Sequence, residues 1–163
     1  MHDTARLAGF FAAHGIWSVS EGATLIPMLG FEHADGGRGM DRFVTDDIGD
    51  GANTGMEALH RNQRSAARAV LVVDGYVHLE YGKTDSLIVS AMEYGASGLS
   101  MTVAVPYRPQ PSPLGFAIYH PKFLEISGVE PDDYQTLGEA FFDGVDSHEN
   151  AAEIWNAHYD PSV

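Results

Sequence analysis

A chain of 163 residues with 44% hydrophobic content is long enough to bury a core, and we expect a single domain over 1–163. With 23 acids against 9 lysines and arginines, the formal net charge is −14, which argues against binding to nucleic acids or anionic membranes because both carry negative phosphates. The absence of cysteine excludes disulfides, thiol nucleophiles and cysteine-ligated metal centres.

The sequence also lacks the segments that direct a protein into or across a membrane. No apolar run approaches the ~20 residues that a membrane-spanning helix requires. Residues 1–15 contain an apolar patch but no basic region followed by a long apolar core, which a signal peptide would need. We therefore predict a soluble, cytoplasmic protein.

The first predicted element is a helix. Asp3 or Thr4 can cap its beginning, and Gly15 is typical of the position that follows a helix C-terminus. Residues 16–31 then have an extended pattern. Residues 32–55 are rich in glycine and aspartate and are predicted to form a long loop, which is either functional or a surface excursion between strands.

A second helix is predicted over 54–67. Thr54 and Glu57 have the spacing of a capping box, in which each side chain satisfies a free N–H group at the start of the helix. The apolar residues that follow recur at helical spacing, so the helix is expected to turn one face towards the core.

The candidate ligand-binding residues of the sequence are basic. Arg61, Arg64 and Arg68 recur at the spacing of one helix face, so they are predicted to form a basic stripe. Guanidinium groups bind carboxylates and phosphates through paired hydrogen bonds, so this stripe would suit a small anionic ligand. The alternative is that the arginines pair with acids of the same chain. His78 and His120 complete this set of candidates.

The centre of the chain, 69–107, is predicted to be a meander of about four antiparallel strands. Asp74-Gly75 is a strong signal for a tight hairpin turn, because both residues tolerate positive φ. Apolar and polar residues alternate over 76–81, 87–92 and 101–105, as in half-buried strands, and Pro106 and Pro109 are predicted to end the last of these strands. The intervening loops are too short for crossover helices, so the strands are predicted to be antiparallel, with one face in need of cover.

The last third of the chain contains one more predicted strand and two helices. A proline-rich connector over 108–114 leads to a strand over 115–126, which Pro121 interrupts. A helix is predicted over 134–142, with Gly144 ending it, and another over 147–158. The predicted fold class is therefore α+β: a mostly antiparallel meander sheet of about five to seven strands, with N-terminal, middle and C-terminal helices.

The sequence contains no motif that identifies catalytic or cofactor chemistry. The patterns GxSxG, HExxH, GxGxxG and GxxxxGK[ST] are all absent. A calcium-loop register that begins at Asp46 places Ile48 where an oxygen ligand is required. We predict no cofactor and no metal site, and the sequence leaves open whether the protein is an enzyme.

Three functional hypotheses remain open. The leading one is a non-catalytic binding or protein-interaction protein that forms a homodimer or larger homo-oligomer, which would cover a free sheet face. The second is a small-molecule enzyme with a pocket lined by Arg61, Arg64, His78 and His120. The third is an acidic inhibitor or immunity-type protein for a basic partner, with binding that weakens steeply in salt. A concave pocket with convergent polar groups would favour the enzyme, and a flat apolar face would favour the interaction protein.

Overall fold

An eight-stranded, mostly antiparallel sheet forms the middle layer of the protein, and the computed structural model describes residues 1–162. The helices are α1 (His2–Val19), α2 (Ile48–Arg61), α3 (Tyr134–Ser147) and α4 (Glu149–His158). The strands are β1 (Met28–Glu32), β2 (Arg38–Arg42), β3 (Arg68–Leu79), β4 (Gly82–Glu93), β5 (Ser100–Arg108), β6 (Ala117–Tyr119), β7 (Lys122–Ser127) and β8 (Tyr159–Asp160). The predicted α+β class is confirmed, including its antiparallel sheet and its N-terminal, middle and C-terminal helices.

The strands follow one another across the sheet in the order β2-β1-β3-β4-β5-β6-β8, and β7 also pairs with β5. All pairs are antiparallel except β6 with β8. The predicted strand over 115–126 is confirmed as β6 and β7, with the expected break at Pro121. Both halves lie beside β5, so the outer strands at this side of the sheet are β7 along one part of β5 and β8, beyond β6, along the other.

Three helices cover one face of the sheet and form the main core with it. Helices α1, α3 and α4 supply the large buried side chains Leu7, Ile16, Phe141 and Trp155. They meet an almost uniformly β-branched and aliphatic sheet surface formed by Val70, Val72, Leu87, Val89, Val103 and Val105. Within residues 1–162, no helix has the length and apolar composition that a membrane crossing needs.

Helices α1 and α3 approach so closely that their backbones touch. A Cβ atom added to Gly9 would lie 1.8 Å from the carbonyl oxygen of Phe141. One added to Gly144 would lie 1.9 Å from the carbonyl oxygen of Arg6. Only glycine fits at either position, so these two residues set the distance between the helices.

The opposite face of the sheet carries a second, smaller core beneath α2. Ala58 and Leu59 of this helix pack on the β1 and β3 side chains Leu29, Phe31, Ala69 and Leu71. Helix α2 begins after Asp47, whose side chain accepts a hydrogen bond from the Gly49 N–H at 2.7 Å. It ends where Asn62 adopts the left-handed conformation, with φ of +50°.

The predicted boundaries of the second helix, 54–67, are therefore wrong at both ends. The helix begins six residues earlier, at Ile48, so half of the predicted loop over 32–55 is helix or strand β2. Thr54 is inside the helix, and its hydroxyl donates to the Asp50 carbonyl at 2.9 Å, so it forms no capping box. The aspartate at the true cap satisfies a free N–H group in the same way as the predicted threonine.

Two glycines that were predicted to end helices lie inside them. Helix α1 continues through Gly15 to Val19, and α3 continues through Gly144 to Ser147. At Gly15 a Cβ atom would lie 2.8 Å from Cδ1 of Leu87, so this glycine lets α1 lie close to the sheet. Tertiary packing therefore explains both glycines, and the helix-stop interpretation was wrong.

The predicted turn at Asp74-Gly75 is also wrong. Strand β3 runs through both residues as far as Leu79, and the chain reverses at Glu80 and Tyr81. Each residue of β3 has a partner in β4, so a continuous ladder outweighs the local turn preference of an Asp-Gly pair. Strand β5 likewise continues past Pro106, where it was predicted to end, to Arg108.

Candidate binding surface

The three arginines of the predicted stripe lie on three different parts of the chain. Arg61 is the last residue of α2, Arg64 lies in the following loop, and Arg68 begins β3. They share no helix face because α2 ends at Arg61, so the stripe itself was wrongly predicted. Each arginine has an acidic partner in the same chain: Arg61 with Glu57, Arg64 with Asp41, and Arg68 with Glu32.

The two histidines of the predicted site lie apart from these arginines in the fold. His78 is exposed on β3, opposite Lys83 of the β3–β4 hairpin. His120 lies between β6 and β7, with its Nδ1 atom 2.6 Å from the Tyr159 hydroxyl. Neither histidine lines the groove or the hollow described below, and ligand binding by the five predicted residues stays a prediction.

Two pairs of buried titratable groups lie on the core side of the sheet. His14 Nδ1 is 2.9 Å from His148 Nε2, and burial lowers the pKa of both rings. The Tyr107 hydroxyl donates to Asp74 at 2.9 Å, and burial raises the pKa of this carboxyl. Altered pKa values are common at functional sites, but both pairs here join core elements to one another.

Half of the sheet face that carries α2 has no helix over it in residues 1–162. Helix α2 packs on β1 and β3, whereas Ile88 and Ser90 of β4 and Thr102 of β5 face this side half-buried and Glu125 of β7 faces it exposed. The strand register places Ser90 opposite Thr102, and Thr102 opposite Glu125. Ile88 belongs to the same face. We refer to this part of β4, β5 and β7 as the open face.

A groove of about 290 Å³ runs between α2 and the open face. Met56, Leu59 and His60 form its helical wall, and Ser90, Met92, Thr102 and Glu125 are among its sheet residues. The Nδ1 atom of His60 donates a hydrogen bond to the Met56 carbonyl oxygen, at 2.8 Å. We refer to this feature as the α2 groove. Its polar groups are mainly hydroxyls, and its walls are methionine and leucine.

The far side of β7 is a free strand edge. Glu125 pairs with Thr102 and Phe123 with Val103, so Leu124 is an additional residue that bulges from the ladder. Leu124 is 54% exposed as a result. A hollow of about 260 Å³ adjoins this edge, lined by Phe123, Leu124, Glu125, Ile126 and Tyr134. We refer to it as the β7 hollow.

The segment of the chain that follows Lys122 carries formal charges of one sign, and its acids lie partly beside β7 and partly on α3 and α4, which cover the other face of the sheet. The sequence contains no lysine or arginine from Phe123 to its last residue. Acids occur throughout the same segment: Glu125, Glu130, Asp132, Asp133, Glu139, Asp143, Asp146, Glu149, Glu153 and Asp160. Most of these acids are exposed, and Glu125 lines both the α2 groove and the β7 hollow.

Sequence reasoning missed this region because it followed individual basic residues. The signal that was available is the asymmetric distribution of charge, which concentrates every lysine and arginine in residues 1–122. The exposure of Leu124 could not be predicted from the sequence, since it depends on a bulge in the hydrogen-bond ladder between β5 and β7. No protein-family model, curated protein or solved structure matches this chain.

Proposed function

We propose that this protein is a non-catalytic binding protein whose partner is a basic polypeptide. The observation that carries the proposal is the coincidence of an uncovered, partly apolar sheet region with a segment that contains acids and no lysine or arginine. Exposed apolar groups supply a contact surface, and Glu125 together with Glu130, Asp132 and Asp133 after β7 selects a partner of opposite charge.

The shape and chemistry of the α2 groove support binding rather than catalysis. Ligand pockets of enzymes usually hold about 300–1,000 Å³ and bring several polar groups to one point. The groove, at about 290 Å³, lies at the lower end of this range, so its polar groups are the better guide; the Nδ1 atom of its histidine, His60, is engaged by a backbone carbonyl of its own helix. Although His60 and Glu125 line the groove, no hydrogen bond within residues 1–162 joins either of them to its serine or threonine hydroxyls, so no nucleophile–base pair is formed.

Charge also bears on whether the partner is a second copy of this chain. Two copies would each bring a net charge of −14, and pairing through β7 would place two acid-rich segments side by side. A basic polypeptide gains attraction from the same acids. We therefore favour a basic partner over the homodimer, and light scattering after size exclusion separates the two.

Two methionines of equal exposure provide a matched test. Met56 is 37% exposed in the α2 groove, and Met40 is 36% exposed on β2 at the opposite edge of the sheet. We expect Met56→Lys to weaken binding of a lysine- and valine-containing peptide by about tenfold, because it adds a positive charge to the contact surface. Met40→Lys should leave the affinity within about twofold of the wild-type value. Biolayer interferometry measures both.

Two further binding measurements test the role of charge, one at raised salt concentration and one with an acidic peptide. Raising the salt concentration should weaken binding of the basic peptide, since screening shortens the range of its attraction to the acids. The same peptide with glutamate in place of lysine should not bind. Equal affinity for the acidic and basic peptides, or equal effects of Met56→Lys and Met40→Lys, would contradict the proposal.

A further inference from the structure

The outer edge of β7 has backbone groups that no other strand uses. In an antiparallel pair each strand turns its alternate N–H and C=O groups away from its partner. Strand β7 pairs with β5 alone, and no backbone hydrogen bond reaches its outer side from elsewhere in residues 1–162. Such an edge is a template for an additional strand.

The opposite edge of the sheet is blocked by charge. Strand β2 has the sequence RGMDR, so three of its five residues are charged; Arg38 pairs with Glu32 of β1, and Asp41 pairs with Arg64 in the loop after α2. Charges on an edge strand oppose pairing with another chain. Strand β7 instead has three apolar residues among its six, Phe123, Leu124 and Ile126. The two edges therefore differ in their capacity to accept a strand.

The β7 hollow provides room for side chains on one side of such a strand. The ring of Phe123 meets the ring of Phe141 on α3 edge to face, with 5.9 Å between centroids, so it forms a firm inner wall. Tyr134 at the start of α3 is 41% exposed and forms the outer wall. Alternate residues of an added strand point to opposite sides, so every second residue would enter this hollow beside Phe123 and Tyr134.

The remaining residues of an added strand would point towards the open face. Glu125 lies on that face, in register with Thr102. Beyond the end of β7, the segment that leads to Tyr134 contains Glu130, Asp132 and Asp133. Basic side chains on this side of an added strand would meet carboxylates, while the N-terminal end of β7 offers a single lysine, Lys122.

We infer that β7 binds an extended peptide of alternating apolar and basic residues as an additional strand of the sheet. This inference rests on the proposed function and specifies how the basic partner is held. Backbone hydrogen bonds to β7 supply affinity, and the β7 hollow and Glu125 select the side chains, as in other cases of strand addition.

The probe is a fluorescein-labelled peptide of about nine residues in which valine and lysine alternate, a length that matches an ordinary strand. A second peptide has the same composition with all lysines before all valines, so it keeps the charge and loses the alternation. Fluorescence anisotropy gives both affinities. We expect the alternating peptide to bind at least about tenfold more tightly than the block peptide.

Two exposed leucines provide the matched variants. Leu124→Asp places a charge on the β7 edge, whereas Leu114→Asp changes a 77% exposed leucine in the loop after β5. We expect Leu124→Asp to weaken binding at least about tenfold and Leu114→Asp to change it less than about twofold. Amide hydrogen exchange at residues 122–127 of the wild-type protein should slow when the alternating peptide binds.

Peptides with methylated backbone nitrogens test the hydrogen bonds without changing the protein. Only every second N–H group of an added strand faces β7. Methylation of one alternate set should therefore abolish binding, and methylation of the other set should preserve it. This measurement decides the question even if Leu124→Asp fails to fold.

Each outcome has a defined meaning. If Met56→Lys weakens binding but both methylated peptides bind and exchange at 122–127 is unchanged, the strand-addition inference is wrong and the proposed function stands. If neither the alternating nor the block peptide binds, both are wrong. A dimer in light scattering that Leu124→Asp converts to a monomer would show that a second copy occupies β7, which overturns the basic peptide as its occupant.

Discussion

The hydrogen bond between His14 and His148 determines where the protons of both neutral rings lie. The Nδ1 atom of His148 accepts from the Ala151 N–H at 3.1 Å and caps α4, so its Nε2 atom carries the proton. That proton points at Nδ1 of His14, which must accept, and His14 therefore carries its own proton on Nε2. Protonation of His14 at Nδ1 would place two hydrogens between the rings and break the bond.

This pair predicts that acid destabilises the protein well above the range in which carboxylates titrate. Burial lowers the folded-state pKa of both histidines below their ordinary value of 6.5, with Arg42 adding to the effect at His14. The unfolded chain therefore binds more protons as the pH falls below 6.5, and the free energy of unfolding decreases. Above this pH the stabilising contribution is fully present.

Urea unfolding at several pH values between about 5 and 7.5 measures the effect. We expect His14→Gln to flatten the pH dependence, because one of the two titrating rings is removed. His78→Gln should retain the full dependence, since His78 is exposed on the β3–β4 hairpin. An unchanged slope in His14→Gln would mean that other groups cause the acid sensitivity.

The contacts between individual titratable residues of the core could not be predicted from the sequence. His14 and His148 are 134 positions apart, and Asp74 and Tyr107 are 33 apart. Their contacts follow from the packing of α1 on α4 and from the strand order, neither of which has a local sequence pattern. The predicted arginine stripe was wrong for a simpler reason, because it required a helix that continued beyond Arg61, where α2 ends.

At the scale of elements, the contact between α1 and α3 is the most restrictive in the fold. Gly9 and Gly144 each lie against a backbone carbonyl of the other helix, and a carbonyl cannot move aside as a flexible side chain can. We expect Gly9→Ala and Gly144→Ala each to lower the free energy of unfolding by about 1–3 kcal/mol or more, as overpacked cores do.

The same helix provides the control for this prediction. Gly138 is in α3, and a Cβ atom added there would meet nothing within 4 Å. Gly138→Ala should stabilise the protein by about 0.5–1 kcal/mol, because alanine loses less backbone entropy in a helix than glycine. Chemical unfolding of the three variants tests both signs, and equal effects at Gly138 and Gly144 would contradict the close-approach explanation.

Element predictions succeeded where the pattern was periodic and failed where they depended on single residues. Alternation over 101–105 identified β5, and the break at Pro121 separated β6 from β7. Gly15 and Asp74-Gly75 have local preferences for a helix end and a turn, but packing and cross-strand pairing outweigh preferences of about 1 kcal/mol. The predicted start of α2 was wrong because threonine and aspartate can both cap a helix, and the sequence alone did not distinguish Thr54 from Asp47.

At the scale of the whole molecule, the net charge of −14 opposes the compact state. We expect thermal unfolding to occur a few °C higher in about 1 M than in about 0.01 M NaCl, since the Debye length falls from about 30 Å to about 3 Å. Salt also weakens exposed ion pairs, but these contribute only about 0–1 kcal/mol each. Screening of the repulsion is therefore expected to dominate.

A double variant locates the repulsion. Asp143 and Asp146 are exposed on α3, within the segment that lacks lysine and arginine. Asp143→Asn together with Asp146→Asn should raise the unfolding temperature at low salt and have little effect at high salt. A temperature that is independent of salt in the unmodified protein would show that local ion pairs offset the net charge.

Whole-molecule reasoning from the sequence reached the class of the fold but not its uncovered surface. Acid excess and α+β content follow from composition and periodicity. Which half of a sheet face stays open depends on where a single helix lies, and α2 packs over β1 and β3 rather than β4 and β5. The position of α2 is determined by contacts between side chains such as Leu59 and Phe31, which come together only in the folded chain.

The close contact of α1 with α3 at Gly9 and Gly144 also has a consequence for biosynthesis. During translation α1 is made first, but the helix against which it packs is made roughly 10 s later at ~5–20 residues per second. Until α3 leaves the ribosome, the apolar stripe of α1 and the facing side of the sheet have no cover. The nascent chain therefore keeps this apolar surface exposed until residues 134–147 have emerged, and holdase chaperones would meet it in that state.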